Sequence, residues 1–299
     1  MVFTSPEADE SRKNPNDRVY LSGSSIGKVL VNKALDAWAL NTTAEWVTRN
    51  SGLITHLVNE GETDKAERLI RDARWSSSSE EGPMTAAERG TAIHAAIEHW
   101  LVGENRPKLP SAEHEAQISG HLDGVSQWFI ENDPEPIAIE MVVFNDYANA
   151  AGRGDMWLRF KKGPLAGARA SLVDTKTKAK ALTQRGYPVK PYSDVGLQLA
   201  AYKWAEWAWL DQDNNPRRAR KGDRSYYLNE PEAAALTKME DITGDPQEVG
   251  SIILQVTPTG AQMFPIDTDR EVLHWVKDVV GANQGKSLDL VGEPLWSSE

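Results

Sequence analysis

The stretch SLVDTKTKAKAL, residues 171–182, combines the pattern of a buried strand with charged residues at its end. Apolar Leu172 and Val173 lead directly into Asp174, and Lys176 follows two positions later. Because side chains alternate between the two faces of a strand, Asp174 and Lys176 should share a face. Taken alone, the pattern fits half of a metal-dependent phosphodiester-cutting site and equally fits a solvated strand edge.

Two further strand patterns stand directly upstream. IAIEMVVFN (137–145) is β-branched and apolar, and GRGDMWLRFKK (152–162) alternates in polarity. Asp155 ends the glycine-rich turn of the second pattern. If 152–162 pairs with 170–178 as a hairpin, Asp155 reaches the same end of the sheet as Asp174. Short, rigid elements would then deliver two carboxylates and a lysine to one place.

The rest of the chain predicts helices on the N-terminal side and mixed elements on the C-terminal side. Thr85 and Glu88 resemble a capping box, which marks the start of a helix. Predicted helices cover 22–50, 62–75, 85–103, 111–133, 194–210 and 269–284, and further strands cover 224–229 and 251–266, the last with a turn at Pro258, Thr259 and Gly260. Three tryptophans are interpreted as core and rim of the helix over 194–210 rather than as base-stacking groups: Trp204, Trp207 and Trp209.

This order of elements predicts an α/β protein with an N-terminal helical layer. Residues 1–18 are polar and rich in charge, and we expect them to form a flexible tail. Residues 19–299 are expected to form a single domain, helical to about residue 132 and strand-rich over 137–299.

Composition limits the chemistry that the chain can perform. It contains no cysteine, which excludes disulfides, thiolate zinc sites, iron–sulfur clusters and cysteine nucleophiles. Any metal must therefore be held by oxygen and imidazole. The N-terminus lacks the apolar core of a signal peptide and no stretch is long and apolar enough for a membrane helix, so we expect a cytoplasmic protein without a membrane partner.

The net charge of −11 argues against a protein that coats nucleic acid without specificity, because phosphate binding depends on lysine and arginine. An enzyme that meets DNA at one local site remains compatible with it. Basic residues do cluster between Lys176 and Lys190 and again between Arg217 and Arg224, where Arg217 and Arg218 are candidate DNA contacts. Each cluster is equally compatible with a solvated loop.

Four motifs, in order, resemble the PD-(D/E)XK nuclease superfamily, and specifically its RecB-like branch, with the CRISPR-associated fourth-type exonucleases and their phage-encoded relatives. They are RGTAIHAAIE (89–98) with His94, GRGDMW with Asp155, VDTKT with Asp174 and Lys176, and QLAAY with Gln198 and Tyr202. The resemblance implies a restriction-endonuclease-like core, a central mixed β-sheet flanked by helices.

The same resemblance implies a role for each matching residue. His94, Asp155, Asp174 and the backbone carbonyl of Thr175 would bind Mg²⁺ or Mn²⁺, and Lys176 would orient the attacking water and stabilise developing charge. Asp155, Asp174 and Lys176 would thus be catalytic. From the residues alone, a single helical histidine such as His94 is more often packed or solvated than a ligand, and Asp155 could simply cap its turn.

Gln198 and Tyr202, four positions apart on one helix face, would contact the DNA backbone or brace the site in such a family member. They could also merely pack the helix against the sheet. Glu98 and Glu140 are candidates for supporting positions behind the ligands. The cysteines that hold an iron–sulfur cluster in many CRISPR-associated members are absent here, so no cluster is expected.

The resemblance implies a metal-dependent DNA exonuclease acting on linear DNA at its ends, in phage or bacterial recombination or replication. A recombination or single-strand annealing protein is a conceivable partner, and an oligomer is compatible with the sequence. One alternative is a catalytically inactive DNA-binding or assembly subunit, which the presence of all four key residues disfavours. A restriction-type endonuclease is a third, disfavoured by the Gln-x-x-x-Tyr pattern.

Overall fold

A computed structural model describes residues 18–26, 46–73, 83–182, 195–211 and 225–285, with positions 40, 43, 44, 189 and 191. Within these residues the protein is α/β, with a mixed sheet and helices on both of its faces. None of the described helices is long and apolar enough to cross a membrane.

The named elements follow one another in this order. The helices are α1 Gly23–Ile26, α2 Ser51–Asn59, α3 Thr63–Ala73, α4 Ala86–Leu101, α5 Ala112–Asn132, α6 Val195–Lys203, α7 Glu230–Ala234, α8 Met239–Thr243 and α9 Arg270–Gly285. The strands are β1 Arg18–Ser22, β2 Pro134–Asn145, β3 Ala150–Phe160, β4 Ala170–Thr177, β5 Trp207–Trp209, β6 Ser225–Leu228, β7 Thr237–Lys238, β8 Val249–Thr257 and β9 Gly260–Pro265.

The described strands form one sheet in the order β7-β5-β2-β3-β4-β8-β9, with β1 paired to β3 and β6 paired to β1. Strand β3 pairs antiparallel with β2 on one side and antiparallel with β4 on the other. The ladder between β4 and β8 is parallel, and so is the short pairing of β1 with β3. Strand β4 therefore lies in the middle of the sheet, held on both edges.

Alternate side chains of β4 bind the two helical layers to the sheet. Val173 packs in a cluster with α4 and α5, whereas Leu172 packs in a second cluster with α6 and α9. Both side chains are fully buried. A near-continuous apolar run is the usual pattern of a strand covered on both faces, which explains why Leu172 and Val173 stand side by side in the sequence.

Several predicted elements are confirmed. The capping box at the start of α4 is present, with the Thr85 side chain accepting from the Glu88 backbone N–H and Glu88 accepting from the Thr85 backbone N–H. Strands β8 and β9 form the predicted hairpin, closed at Thr257 and Gly260. Strands β2, β3 and β4 and helices α3, α5 and α9 fall where periodicity predicted them.

The helix predicted over 194–210 is wrong in its second half. Helix α6 ends at Lys203, and Trp207–Trp209 instead form β5, which pairs with Val142–Phe144 of β2. The helical interpretation of Trp207 and Trp209 is therefore corrected. Alternating tryptophan, alanine and tryptophan suits a strand between β2 and β7, and these tertiary contacts override the local helical pattern.

The N-terminal prediction is wrong in one respect, because β1 precedes the first helix and begins within the expected tail, at Arg18. The other residues of that tail lie outside the described part of the chain. So does most of 27–45 within the predicted helix over 22–50, as do Arg217 and Arg218 of the second basic cluster.

Candidate active site

The candidate site lies where β3 and β4 stop pairing. Their ladder ends at Met156 and Val173, and continuing its register places Asp155 opposite Asp174. Beyond that point β4 pairs with β8 as far as Thr177. Instead of a ladder bond, the backbone N–H of Thr175 donates to Oδ2 of Asp155 at 2.7 Å. The two strands thus open into a gap with a carboxylate on each side.

Strand β2 adds a third carboxylate to the same row. Its pairs with β3 on either side of the site, Ile139 with Met156 and Met141 with Gly154, place Glu140 opposite Asp155. The charge of Asp155 raises the pKa of both Glu140 and Asp174, so the three acids lie near one another. Glu140, Asp155 and Asp174 are called the acidic row below, because they come from three adjacent strands.

Helix α4 brings His94 to this row. Its Nε2 lies 3.0 Å from the Thr175 carbonyl oxygen, and its Nδ1 lies 3.6 Å from Oδ2 of Asp155. A carbonyl oxygen can only accept, so Nε2 must carry the proton and donate it. Nδ1 is then the nitrogen that faces Asp155.

Asp174 is the most buried member of the row, with 2% of its surface exposed. Burial raises the pKa of Asp174 to about 6, and the charge of Asp155 acts in the same direction. Lys176 opposes this shift, because its Nζ lies 2.5 Å from Oδ2 of Asp174. The lysine thus neutralises a carboxylate that would otherwise be costly to bury as an anion.

The two glutamates expected behind the ligands are also shifted toward their neutral forms. Burial raises the pKa of Glu140 to about 7, with added repulsion from Asp155 and Glu98, and burial raises the pKa of Glu98 on α4. Arg153 partly offsets the shift of Glu140, with its Nε 2.6 Å from Oε2 of that residue. Repulsion among these acids is the situation that a bound cation relieves.

Glu140 also has an unusual backbone. Its φ is +52°, in the left-handed region that a non-glycine residue rarely adopts inside a strand. Such conformations cost about 1–3 kcal/mol and persist only where the surroundings enforce them. The flanking pairs of β2 and β3 and the ion pair with Arg153 hold it there.

The donors fit a hard divalent ion in chemical type, since carboxylate oxygens, a carbonyl oxygen and an imidazole are all present. As the side chains are placed, no three His, Asp or Glu residues of the described ranges converge closely enough to hold one. Lys176 stands against Asp174 instead. Binding by the full donor set would require Lys176 to move away from Asp174 and His94 to give up its hydrogen bond to Thr175. The two ring nitrogens point in nearly opposite directions, so one ion cannot contact both Nδ1 and the carbonyl oxygen to which Nε2 donates.

Gln198 and Tyr202 lie on α6 and interact with each other. Tyr202 is only 2% exposed and packs against two glycines, where a Cβ on Gly152 would lie 2.2 Å from its hydroxyl oxygen and one on Gly23 would clash similarly. Burial raises the pKa of Tyr202 well above its ordinary value. This burial disfavours direct contact of Tyr202 with DNA, and it fits both bracing of the site and simple packing of α6 against the sheet.

Sequence reasoning brought His94, Asp155, Thr175, Asp174 and Lys176 together, and the structure places them side by side. It gave Glu140 only a supporting place, although the register puts this residue in the row itself. It did not single out Arg153 at all. The sequence feature that could have identified Arg153 is the alternation along β3, which predicts that Arg153 and Asp155 lie on one face of the strand.

No family model matches the sequence, and the curated proteins contain no match to it. The resemblance to PD-(D/E)XK nucleases therefore depends on its motifs and on the chemistry of this site.

We expect the metal-free protein to lose stability as the pH rises from about 5 to about 8. The folded-state pKa of Glu140, about 7, lies above the ordinary 4.5. The protonated carboxyl therefore stabilises the folded state fully at a pH below 4.5, and this stabilisation is lost as the pH rises through 7. Asp174, at about 6, acts in the same direction. Glu140→Gln should reduce the fall in melting temperature, measured in excess chelator across this range.

Glu135→Gln is the matched control for this prediction. Glu135 lies on the same strand, is half-exposed, and pairs with Arg159 and Lys161 at 3.7 and 3.6 Å. Its replacement should leave the pH profile unchanged. If Glu140→Gln gave the same pH profile as Glu135→Gln and the unmodified protein, Glu140 would not have a raised pKa and its burial in the structure would be contradicted.

Proposed function

We propose that this protein is a metal-dependent deoxyribonuclease of the PD-(D/E)XK superfamily, RecB-like branch, with a restriction-endonuclease-like core. The observation that supports it most is the row of Glu140, Asp155 and Asp174 across β2, β3 and β4, with Lys176 at its end. Arg153 and Lys176 offset only part of the upward shift in the pKa of Glu140 and Asp174, so the three acids remain costly to hold together as anions. A bound divalent cation would relieve that cost.

In this proposal Mg²⁺ or Mn²⁺ would be held by Asp155, Asp174, the Thr175 carbonyl and one ring nitrogen of His94, once the ring has released its hydrogen bond to that carbonyl. The ion, when bound, would polarise the scissile phosphate and lower the pKa of a water molecule. Lys176, released from Asp174, would orient that water and stabilise the charge that develops on the phosphate. The Thr175 N–H fixes the Asp155 carboxylate.

We further propose that the substrate is linear DNA and that cleavage starts from its ends, as the resemblance implies, in phage or bacterial recombination or replication. The inactive-subunit alternative is disfavoured because His94, Asp155, Asp174 and Lys176 are all present and lie in one cluster. The endonuclease alternative can be distinguished by its substrate, because an endonuclease would cut circular DNA, which has no ends, whereas an exonuclease would not.

Purified protein should degrade linear DNA in the presence of Mg²⁺ or Mn²⁺ and should be inactive in excess EDTA, because oxygen and imidazole donors suit these ions. The assay compares linear and closed circular DNA labelled at either end. Degradation that continues undiminished in EDTA would exclude the metal mechanism. Cleavage of circular DNA at the same rate as linear DNA would contradict action at ends.

A further inference from the structure

A cavity of about 530 Å³ lies outside the candidate active site. It is formed where the C-terminal end of α6, β5, α8 and the first turns of α9 meet, and its lining includes none of the residues of the acidic row. Its volume falls within the range of about 300–1,000 Å³ that is typical of small-molecule sites.

Two tryptophans form rigid walls of this cavity. The indole N–H of Trp204 donates to the Thr268 carbonyl at 2.7 Å, and that of Trp207 donates to Oδ2 of Asp146 at 2.9 Å. Because the polar end of each indole is already satisfied by the protein, each ring presents apolar surface to the cavity. Met239 and Leu273 add further apolar lining.

Three cations line the same cavity: Lys203, Lys238 and Arg270. The guanidinium carbon of Arg270 lies 5.1 Å from the centre of the Trp204 ring, and Nζ of Lys203 lies 5.4 Å from it. Burial lowers the pKa of Lys203, against the attraction of Asp267 and Asp269. A cation that has lost part of its water gains more from an anionic ligand than a fully solvated one.

The lining also contains two carboxylates, and one of them is already engaged. Glu206 accepts from the backbone N–H groups of Asp146, at 2.7 Å, and Tyr147, at 3.4 Å. Glu240 is exposed at the start of α8. The described lining residues thus carry three cations and two carboxylates, a net positive charge that favours a small anion, while Asp267 and Asp269 act on Lys203 from outside the lining.

We propose that this cavity binds a nucleoside 5′-monophosphate, with the base against Trp204 and Trp207 and the phosphate among Lys203, Lys238 and Arg270. Planar aromatic walls beside a group of cations match a ligand that carries a flat ring and one phosphate. The choice of a deoxynucleotide rests on the proposed function, because phosphodiester hydrolysis of DNA can release such molecules. The match of the cavity to a flat anion does not depend on it.

The test is calorimetric titration of the full-length protein with dAMP in excess EDTA, where no cleavage is expected. Deoxyadenosine and inorganic phosphate, titrated separately, probe the two halves of the ligand. We expect dAMP to bind more tightly than either, and its affinity to fall with added salt.

The double variant Lys238→Gln/Arg270→Gln should weaken dAMP binding by at least about tenfold, since it removes two charged hydrogen-bond donors to the phosphate. Both side chains are exposed, so the fold should tolerate the change. The control Lys161→Gln/Lys162→Gln makes the same change in charge at two exposed lysines outside the cavity lining and should leave binding unchanged.

Equal affinity for deoxyadenosine and dAMP would overturn the proposal, as would unaltered dAMP binding in the cavity variant or no dAMP binding at all. Binding of a short 5′-phosphorylated oligonucleotide without binding of dAMP would show a strand end, not a free nucleotide, as the ligand. Because the titration is done without metal, its failure is distinct from absence of nuclease activity, which the EDTA-dependent cleavage assay measures.

Discussion

Asp174→Asn should abolish DNA cleavage and weaken binding of Mg²⁺ or Mn²⁺ by at least about tenfold, the scale seen when groups around a metal site are altered. The substitution keeps the shape of the side chain but removes its formal charge from the row with Glu140 and Asp155. Loss of metal binding and loss of cleavage should occur together. Calorimetric titration with metal, beside cleavage rates on linear DNA, measures both.

The Asp174→Asn variant should remain folded, which separates a lost ligand from a lost structure. Burial already raises the pKa of Asp174, so its ionised form opposes folding when no metal is bound. In EDTA at pH above about 7, Asp174→Asn should therefore melt no lower than the unmodified protein. The control Asp133→Asn changes a half-exposed carboxylate paired with Lys162 at 3.7 Å and should retain full activity. Full cleavage by Asp174→Asn would remove Asp174 from the site.

The elements that sequence reasoning predicted correctly are those whose local signals agree with their tertiary setting. Helix α4 has its capping box, β4 has the apolar run of a strand covered on both faces, and the β8–β9 hairpin has its turn residues. In each of these elements, the local sequence contains the capping residues, the turn residues or the hydrophobic pattern that define it. Such segments can be assigned before any partner is known.

The segment around Trp207–Trp209 shows why the remainder could not be predicted. Its composition suits a helix continuing from α6, and three residues are too few for strand alternation to be recognised. It becomes a strand because β2 and β7 offer pairing on both edges. That information lies more than 60 residues away on one side and about 30 on the other, beyond any local pattern.

Glu140 shows the same limit within the site. Alternation along β2 and β3 is visible in the sequence, but the register between them is not. A register shift occurs between Pro136 and Ala138, and Glu140 itself has a left-handed backbone. Counting outward from the turn could not have placed Glu140 opposite Asp155 with certainty. Motifs identified the residues of the site, whereas the paired strands supplied its geometry.

Lys176→Met should lower the rate of DNA cleavage by a factor on the order of 10² or more, the scale of losing one preorganised stabiliser of transition-state charge. Metal should still bind, and at least as tightly as in the unmodified protein, because the substitution leaves all the carboxylates unchanged and removes a nearby positive charge. Cleavage rates at saturating metal, beside calorimetric metal titration, measure the two effects separately. This split between binding and rate distinguishes Lys176 from Asp174, whose loss should impair both.

The metal-free variant provides an independent measurement of the same contact. Nζ of Lys176 lies 2.5 Å from a carboxylate that is almost fully buried, so its removal leaves that charge without a cation. Lys176→Met should therefore melt below the unmodified protein in EDTA at pH above about 7, and added metal should restore the difference. Lys161→Met, which removes an exposed lysine 3.6 Å from Glu135, should change neither melting nor cleavage. If folded Lys176→Met cleaved DNA at nearly the unmodified rate, β4 would end in an ordinary solvated ion pair and the catalytic assignment of Asp174 and Lys176 would fail.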